Sequence, residues 1–277
     1  MFEMLPLLLL TGLGVGFMGA FLGIGGGVIV VPILSIVFHL PIHTAIGTSL
    51  AIVVANSIAA SGRYLLGGYA NLNLALALGL FSALGAVGGS NFSLRLPAGV
   101  IFIALGTAQM ITADLMAKGD KLKEIFNIKA LVRDGDPLNG AYYERTTGQE
   151  VRYTPQRLPL LMGLACLAGF LSGLVGVGGA VIVIPAMNLI AGVPIKAAIP
   201  TSGFMMGFTA VSGAIVFYMN SQINPFVAAS IVPTTFISSV ITAYFFQKAK
   251  SARIYQAFII FLMLLAIVMI YRGVESL

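Results

Sequence analysis

Two glycine-rich segments carry the strongest chemical signal in this 277-residue sequence. The first reads GIGGGVIVVP at residues 23–32, and the second reads GVGGAVIVIP at residues 176–185. Each precedes a Thr-Ser pair: Thr48 and Ser49 in the first case, Thr201 and Ser202 in the second. Unpaired backbone N–H groups and hydroxyls bind anions without help from a charged side chain. The pattern is compatible with a nucleotide loop, a helix-packing face or an anion site at broken helices.

A nucleotide loop is excluded by what surrounds the glycines. Residues 14–19 read GVGFMG, which has the spacing G-x-G-x-x-G. The dinucleotide fingerprint also needs a preceding strand within a βαβ unit, and a Walker A loop needs Lys-Ser/Thr after its last glycine. The sequence has neither feature.

Helix packing explains some of the glycines. Gly19, Gly23 and Gly27 recur every four residues, as do Gly169 and Gly173, and such spacing lets helices approach closely in a membrane. Packing does not explain the adjacent glycines at 25–27, which cannot share one helix face and cost about 1 kcal/mol each relative to alanine. Adjacent glycines instead predict an unwound turn inside the membrane, which is tolerated where it is buried in protein or lines a wet cavity.

The predicted site is therefore an anion site made from two broken helices. A half-helix beginning near Gly27 presents unpaired N–H groups and its positive dipole end, and the hydroxyls of the next helix complete the hydrogen bonds. Two alternatives stay open: the hydroxyls bond to carbonyls one turn back, and Asn56 packs helices rather than lining the pathway. The predicted substrate-binding residues are Gly25, Gly26, Gly27, Thr48, Ser49, Asn56, Gly178, Gly179, Ala180, Thr201 and Ser202. No catalytic residue, metal ligand or cofactor is predicted.

The composition is that of a polytopic α-helical membrane protein. Hydrophobic residues make up 58% of the chain, charged residues only 9%, and the mean hydropathy is +1.01. A soluble domain carries roughly 25% charged residues. Apolar runs such as 72–92 and 254–271 are long enough to cross a bilayer. The net charge of +6 fits basic loops that face lipid head groups, so the expected partner is the bilayer and not nucleic acid.

The chain contains an internal duplication. A shift of 153 positions aligns residues 16–49 with 169–202 without a gap, and 15 of the 34 pairs are identical. We therefore predict a first membrane repeat at 1–116, a charged insert at 117–157 and a second repeat at 158–277. Each repeat is predicted to have a broken or re-entrant helical pair followed by three transmembrane helices. The predicted segments are 4–38, 42–62, 73–93 and 97–116, then 158–191, 195–219, 224–247 and 253–271.

The insert is expected to be a solvated linker. It carries eight Lys and Arg residues against six acids. Within it, AYYERTTGQEVRYT has β-favouring residues on either side of Thr-Gly, which is compatible with a small hairpin.

The distribution of basic residues predicts how the repeats are oriented. If each glycine-broken segment turns back within the membrane, all 15 Lys and Arg except Arg95 and Arg272 fall on one side. If the segment crosses once, the split is only ten to five, and a single helix over residues 5–38 would be about 50 Å long. Because cytoplasmic loops carry the Lys and Arg excess, we expect inverted repeats in the cell (inner) membrane, with both termini outside and the insert in the cytoplasm.

These motifs resemble the TauE/SafE family of sulfite and organosulfur-anion exporters. The similarity rests on GIGGGVIVVP followed by HTAIGTSLAIV, and on GVGGAVIVIP followed by KAAIPTSGFM, and it covers both membrane repeats. The resemblance implies a secondary transporter of small anions such as sulfite or sulfonates. The second repeat departs from the first by placing Pro200 where the first has Gly47.

Three classes of function remain for this sequence. A secondary anion transporter, exporting its substrate, is favoured, and a passive anion channel uses the same elements. A membrane enzyme is disfavoured because the spans contain no cluster of catalytic residue types. The coupling ion is open, since no carboxylate lies mid-span, and His39 and His43 either titrate or contact the membrane surface. The oligomeric state is also open, a homo-oligomer included.

Overall fold

The structure, a computed structural model, describes residues 4–118, 132–133, 135–144, 148–246 and 251–276. Most of them are helical, with five α-helices in each half, so the all-α architecture is confirmed. The first half contains α1 (Leu5–Leu22), α2 (Gly27–Pro32), α3 (Ile42–Leu66), α4 (Leu72–Ser93) and α5 (Ala98–Ala117). The second contains α6 (Leu158–Val175), α7 (Ala180–Leu189), α8 (Ile195–Met219), α9 (Pro225–Phe246) and α10 (Ser251–Glu275).

Within the described residues, seven helices are long and apolar enough to cross a membrane: α1, α3, α4, α5, α6, α8 and α9. Two shorter apolar segments complete the core. They are α7 and the segment Gly27–Val37, in which α2 continues as a π-helical stretch after Pro32. Large apolar side chains such as Leu66, Leu80 and Ile111 are exposed on the outer faces of the long helices. An apolar exterior of this kind suits contact with lipid rather than water.

Both predicted helix breaks are confirmed. Helix α1 ends at Gly23 (φ 69°), and α2 begins after Gly26 (φ 79°). In the second half, α6 ends at Gly176 (φ 79°), and α7 begins after Gly179 (φ 75°). These left-handed conformations are open to glycine because it has no Cβ atom.

Helices α1 and α3 run in the same direction. Thr48 and Asn56 of α3 are hydrogen-bonded to Asn224 and Ser239, which are at the start and in the second half of α9. Residue numbers therefore increase in the same direction along α3 and α9, so these two helices are parallel. Helix α1 also lies parallel to α9, since Gly12 contacts Ile231 and Gly16 contacts Thr235. The segment Gly27–Val37 must therefore return the chain between α1 and α3.

The second half makes the equivalent contacts with the first half: α6 and α8 pack on α4, as α1 and α3 pack on α9. Thr201 and Thr209 of α8 bond to Asn71 and Ser82, which lie just before and within α4. Gly169 of α6 packs on Ser82 as well. The first and third helical elements of each half thus both lie beside the fourth helical element of the other half.

Helix α3 and its counterpart α8 pack antiparallel. Leu50, near the start of α3, contacts Gly213, near the end of α8. Ser57, further along α3, donates a hydrogen bond to the carbonyl of Gly203 near the start of α8 at 2.6 Å. Equivalent helices of the two halves therefore point in opposite directions where they meet.

The described part of the insert forms a β-hairpin that packs on the helices. Strand β1 (Gly140–Glu144) pairs antiparallel with β2 (Gln149–Tyr153), with Gly140 opposite Tyr153. The side chains of Tyr142 and Tyr153 are buried, and the ring of Tyr142 lies 5.4 Å from that of Tyr69 in the α3–α4 loop. The expectation of a purely solvated linker is therefore wrong for these residues. Several charged residues of the insert lie outside the described residues: Lys121, Lys123, Lys129 and Arg145.

Candidate functional site

The two glycine turns, residues 23–27 and 176–180, meet at the centre of the molecule. A methyl group added to Gly27 would lie 2.3 Å from the carbonyl oxygen of Gly176 and 3.0 Å from the Cα atom of Val177. The backbones of the two turns are therefore in direct contact, and Gly27 is required by space rather than by its φ angle. At the matching position of the second turn, Ala180 keeps its methyl group, so the two turns are related but unequal.

Two buried apolar side chains pack against both turns. A methyl group on Gly25 would lie 2.8 Å from Val53 Cγ1 and 3.2 Å from Met206 Sδ. One on Gly178 would lie 2.8 Å from Met206 Sδ and 3.4 Å from Val53 Cγ1. Val53 and Met206 are separated by 153 positions, the spacing of the duplication. Our sequence reasoning missed both residues, although that spacing marks them as equivalent.

Ser49 and Ser202 connect each half to the glycine turn of the other. Ser49 donates a hydrogen bond to the carbonyl of Gly176 at 2.8 Å, and Ser202 donates one to the carbonyl of Gly23 at 3.1 Å. Gly23 and Gly176 are equivalent residues, so the two bonds are related by the duplication. Both hydroxyls are fully buried. Ser49 Oγ also lies 3.5 Å from the carbonyl oxygen of Gly27 in the turn of its own half, so its shorter bond is the one to the opposite turn.

Thr48 and Thr201 each form a hydrogen bond with the backbone of a loop between two helices. Thr48 Oγ1 accepts the backbone N–H of Asn224 at 3.0 Å, and Thr201 Oγ1 accepts that of Asn71 at 3.0 Å. Asn224 precedes α9 and Asn71 precedes α4, so these bonds are again equivalent. Each threonine oxygen is the acceptor in this bond, so the bond does not use the proton of the threonine hydroxyl.

In this conformation Asn56 of α3 contacts two neighbouring helices, α9 and α1. Its Oδ1 atom accepts a hydrogen bond from Ser239 on α9, and its Nδ2 atom lies against Gly19 of α1. The equivalent residue of the second half is Thr209, which bonds to Ser82 at 2.7 Å. Of the two alternatives for Asn56, the structure has the helix-packing hydrogen bond.

The centre is closed in this conformation. A cavity of about 20 Å³ lies beside the second turn and is lined by Ser172 and Gly179 among apolar neighbours. Such a volume holds about one water molecule. An anion of several heavy atoms enters between the turns only if they separate.

A larger groove of about 600 Å³ runs between α3 and α8. Its lining is mostly apolar, with hydroxyls from Ser57, Ser61 and Ser212. Within the described residues the buried Ser61 Oγ has no hydrogen-bond partner. The small polar side chain of Ser61 carries no distinguishing local signal in the sequence, so it was not predicted as a site residue.

The hairpin forms a buried ion pair with the N-terminal end of α8. Lys196 Nζ donates to Glu144 Oε1 at 2.5 Å, and the two side chains are 0% and 7% exposed. Next to this pair, burial raises the pKa of Tyr142 to about 12, with smaller contributions from the charge of Glu144 and from Tyr69. Tyr142 is therefore neutral at cellular pH.

The similarity of this chain to known proteins agrees with this architecture. Residues 8–269 match the family described as sulfite exporter TauE/SafE. The chain belongs to this family. It is 26% identical over 284 residues to the probable membrane transporter protein YunE of Bacillus subtilis strain 168, with 98% of each chain covered. It is 30% identical over 217 residues to the probable membrane transporter protein MJ0441 of Methanocaldococcus jannaschii, covering 76% of this chain and 72% of that one.

No solved structure is significantly similar to the chain. TauE/SafE membership and the seven apolar helices together define a multi-pass membrane transporter rather than an enzyme.

Proposed function

We propose that this TauE/SafE protein is a secondary transporter that exports small anions, with sulfite and organosulfonates as the substrate class. The description of the family names sulfite, which supports the class of substrate. The observation that carries the proposal is the contact between the two glycine turns, from which the segments Gly27–Val37 and α7 both begin.

Helix N-termini supply the anion site. The first N–H groups of any helix have no partner within it, and the helix dipole makes that end positive. Two such ends meeting at the centre attract an anion without a buried positive side chain. Paired broken helices near the membrane midplane are also where secondary transporters with inverted repeats bind their substrates.

Ser49 and Ser202 link anion binding to opening of the centre. Each hydroxyl has one proton to donate, and in the closed conformation that proton is donated to a carbonyl of the opposite glycine turn. When the turns separate, the same protons become available to an anion. The anion then binds the open conformation better than the closed one, as any ligand that shifts a conformational equilibrium must.

The proposed transporter is built from inverted repeats. The antiparallel packing of α3 on α8 supports this topology, and so does the positive-inside rule, because this topology would put all Lys and Arg except Arg95 and Arg272 on one side. Both termini then lie outside, and the insert lies in the cytoplasm.

A reporter that is active only in the cytoplasm tests the orientation. Fused after Leu277, the reporter is expected to be silent, because the C-terminus lies outside. Fused to a chain truncated after Lys250, which follows α9, the reporter is expected to be active. Activity of the full-length fusion would contradict the proposed topology.

Removing both serine hydroxyls tests the substrate site. The double variant Ser49→Ala/Ser202→Ala is expected to lower sulfite transport by at least about tenfold, since a hydrogen bond to a charged group is worth roughly 1.5–3 kcal/mol. The measurement is sulfite flux in proteoliposomes. Ser212→Ala is the matched control, because Ser212 is only partly buried on α8 and its hydroxyl donates to the carbonyl of Phe208 one turn back in the same helix, not to a glycine turn. Wild-type flux in the double variant would contradict the proposal.

Counterflow distinguishes the carrier from the passive channel. Vesicles preloaded with unlabelled sulfite are expected to accumulate labelled sulfite transiently, because a carrier exchanges one anion for another. A channel only lets the label equilibrate, so simple equilibration would favour the channel.

A further inference from the structure

Lys196 is an unusual residue in this fold. Among the described residues, it is the only Lys or Arg with a buried side chain, and Glu144 is the only buried acid. Lys196 is also the second residue of α8, where the positive end of the helix dipole disfavours a cation. A buried cation in such a place requires an anionic partner, which Glu144 supplies from the tip of strand β1.

Lys196 lies on the approach to the proposed anion site. It precedes Thr201 and Ser202 on the same helix, and five residues of α-helix span about 7.5 Å. Ser202 in turn contacts the carbonyl of Gly23 in the first glycine turn. A single helix therefore leads from the buried cation to the centre of the molecule.

The duplication places a basic side chain at the corresponding point of the other half. His43 lies 153 positions before Lys196 and is likewise the second residue of its helix, α3. Its Nε2 atom lies 3.0 Å from the carbonyl oxygen of Ser93 at the end of α4. The contact of His43 is thus with the helical bundle itself, whereas the partner of Lys196 comes from the insert.

The carboxylate of Glu144 reaches Lys196 because the hairpin is docked by several other contacts. The side-chain amides of Asn71 and Asn73 donate to the carbonyls of Leu138 and Pro137, at 2.8 and 2.7 Å. Tyr69 donates to the carbonyl of Tyr143 at 3.0 Å. The hairpin therefore covers the beginning of α4 and of α8 together.

We infer that Lys196 is a second anion-binding site on the insert side of the transporter, and that Glu144 is a tethered carboxylate that occupies it. The inference rests on the proposed function for the identity of the free anion, a sulfite or a sulfonate. When the hairpin moves off the helices, the free anion replaces the carboxylate on Lys196 before or after it occupies the glycine turns. A tethered group competes at an effective concentration in the millimolar range or above, so it suppresses binding of a dilute free anion.

Neutralising Glu144 is the test. Purified Glu144→Gln protein is titrated with sodium sulfite and with sodium methanesulfonate while sodium gluconate keeps the ionic strength constant, and the thermal midpoint is followed. The variant is expected to be stabilised by these anions with an apparent Kd at least about tenfold lower than that of the wild type, because the competitor is gone. The double variant Glu144→Gln/Lys196→Met is expected to lose this gain in affinity and to respond to the anions as the wild type does, because its glycine turns and central serines are unchanged.

Two controls make the result decisive. Glu150→Gln removes an exposed carboxylate from the same hairpin, where it pairs with Arg152, and is expected to respond as the wild type does. Glu144→Asp keeps the charge on a shorter side chain, is expected to fold if Glu144→Gln does not, and should have an apparent Kd between those of the wild type and Glu144→Gln.

Equal responses of Glu144→Gln and the double variant would overturn the inference, as would a wild-type apparent Kd in both Glu144→Gln and Glu144→Asp. Both variants retain the glycine turns and both central serines, so this failure would leave the proposed function standing. Unchanged flux in the Ser49→Ala/Ser202→Ala protein would instead reject the proposed function, whatever the result at Lys196.

Discussion

Replacing Gly26 or Gly179 with leucine is expected to abolish anion transport. Gly26 has φ 79° and Gly179 has φ 75°, and a left-handed conformation costs an ordinary residue about 1–2 kcal/mol. The added side chain also lacks room, since a Cβ atom would lie 2.5 Å from Val15 Cγ1 at the first position and 3.0 Å from the carbonyl oxygen of Ala168 at the second. Either change displaces the start of a helix that we assign to the anion site. Sulfite flux in proteoliposomes measures the effect.

Two other glycines are matched controls for the leucine variants. Gly14 of α1 and Gly163 of α6 are exposed, and a Cβ atom added to either would meet nothing within 4 Å. Gly14→Leu and Gly163→Leu are therefore expected to transport as the wild type does. Normal flux in a correctly folded Gly26→Leu or Gly179→Leu protein would argue against a site at the turns.

A smaller change separates the contact between the turns from folding in general. Gly27→Ala adds one methyl group, which would overlap the carbonyl of Gly176, and it is expected to reduce flux severely. The equivalent exchange in the other turn, Ala180→Gly, removes a methyl group and opens no clash, so it is expected to retain most of the flux. Equal flux in the two variants would show that close contact between the turns is not needed.

Replacing Lys196 with methionine is expected to destabilise the protein by about 3–5 kcal/mol, because the change breaks a buried ion pair by removing one of its two charges. A loss of that size corresponds to a fall in Tm of at least roughly 6 °C for a chain of this length. Thermal unfolding in detergent measures the change. Neutralising the carboxylate as well, in Glu144→Gln/Lys196→Met, is expected to restore most of the lost stability.

The exposed pair on the same hairpin provides the comparison for Lys196. The side chains of Arg152 and Glu150 are 66% and 50% exposed, and pairs of this kind contribute about 0–1 kcal/mol. Arg152→Met is therefore expected to leave Tm nearly unchanged. If Lys196→Met were equally mild, the charge of Glu144 would not depend on Lys196 in the folded protein.

The sequence predicted the membrane-spanning elements closely, because their signals are local. Length and apolarity of a run define a spanning helix, and predicted segments such as 195–219 agree with the helices found. The breaks near Gly23 and Gly176 were also predicted, since only glycine adopts their backbone conformation without strain. The direction of the helices on either side of each break is a tertiary property, and for α1 and α3 it follows from contacts such as those of Gly12 with Ile231 and of Thr48 with Asn224.

The hydrogen-bond and ion-pair partners of the polar residues could not be predicted from the neighbouring sequence. Ser49 bonds to Gly176, which lies 127 positions away, and Lys196 pairs with Glu144, which lies 52 positions away. Such pairings depend on how the halves interlock, which neither periodicity nor composition encodes.

The class of the protein, its duplication and the positions of its helix breaks can be predicted from the sequence alone, since each depends on residues adjacent or evenly spaced along the chain. The folded structure is needed to see that the two glycine turns touch, that Val53 and Met206 pack against both of them, and that the hairpin is docked on α8. The physical reason is that burial and hydrogen bonding between distant segments are set by packing, and packing is a property of the whole fold.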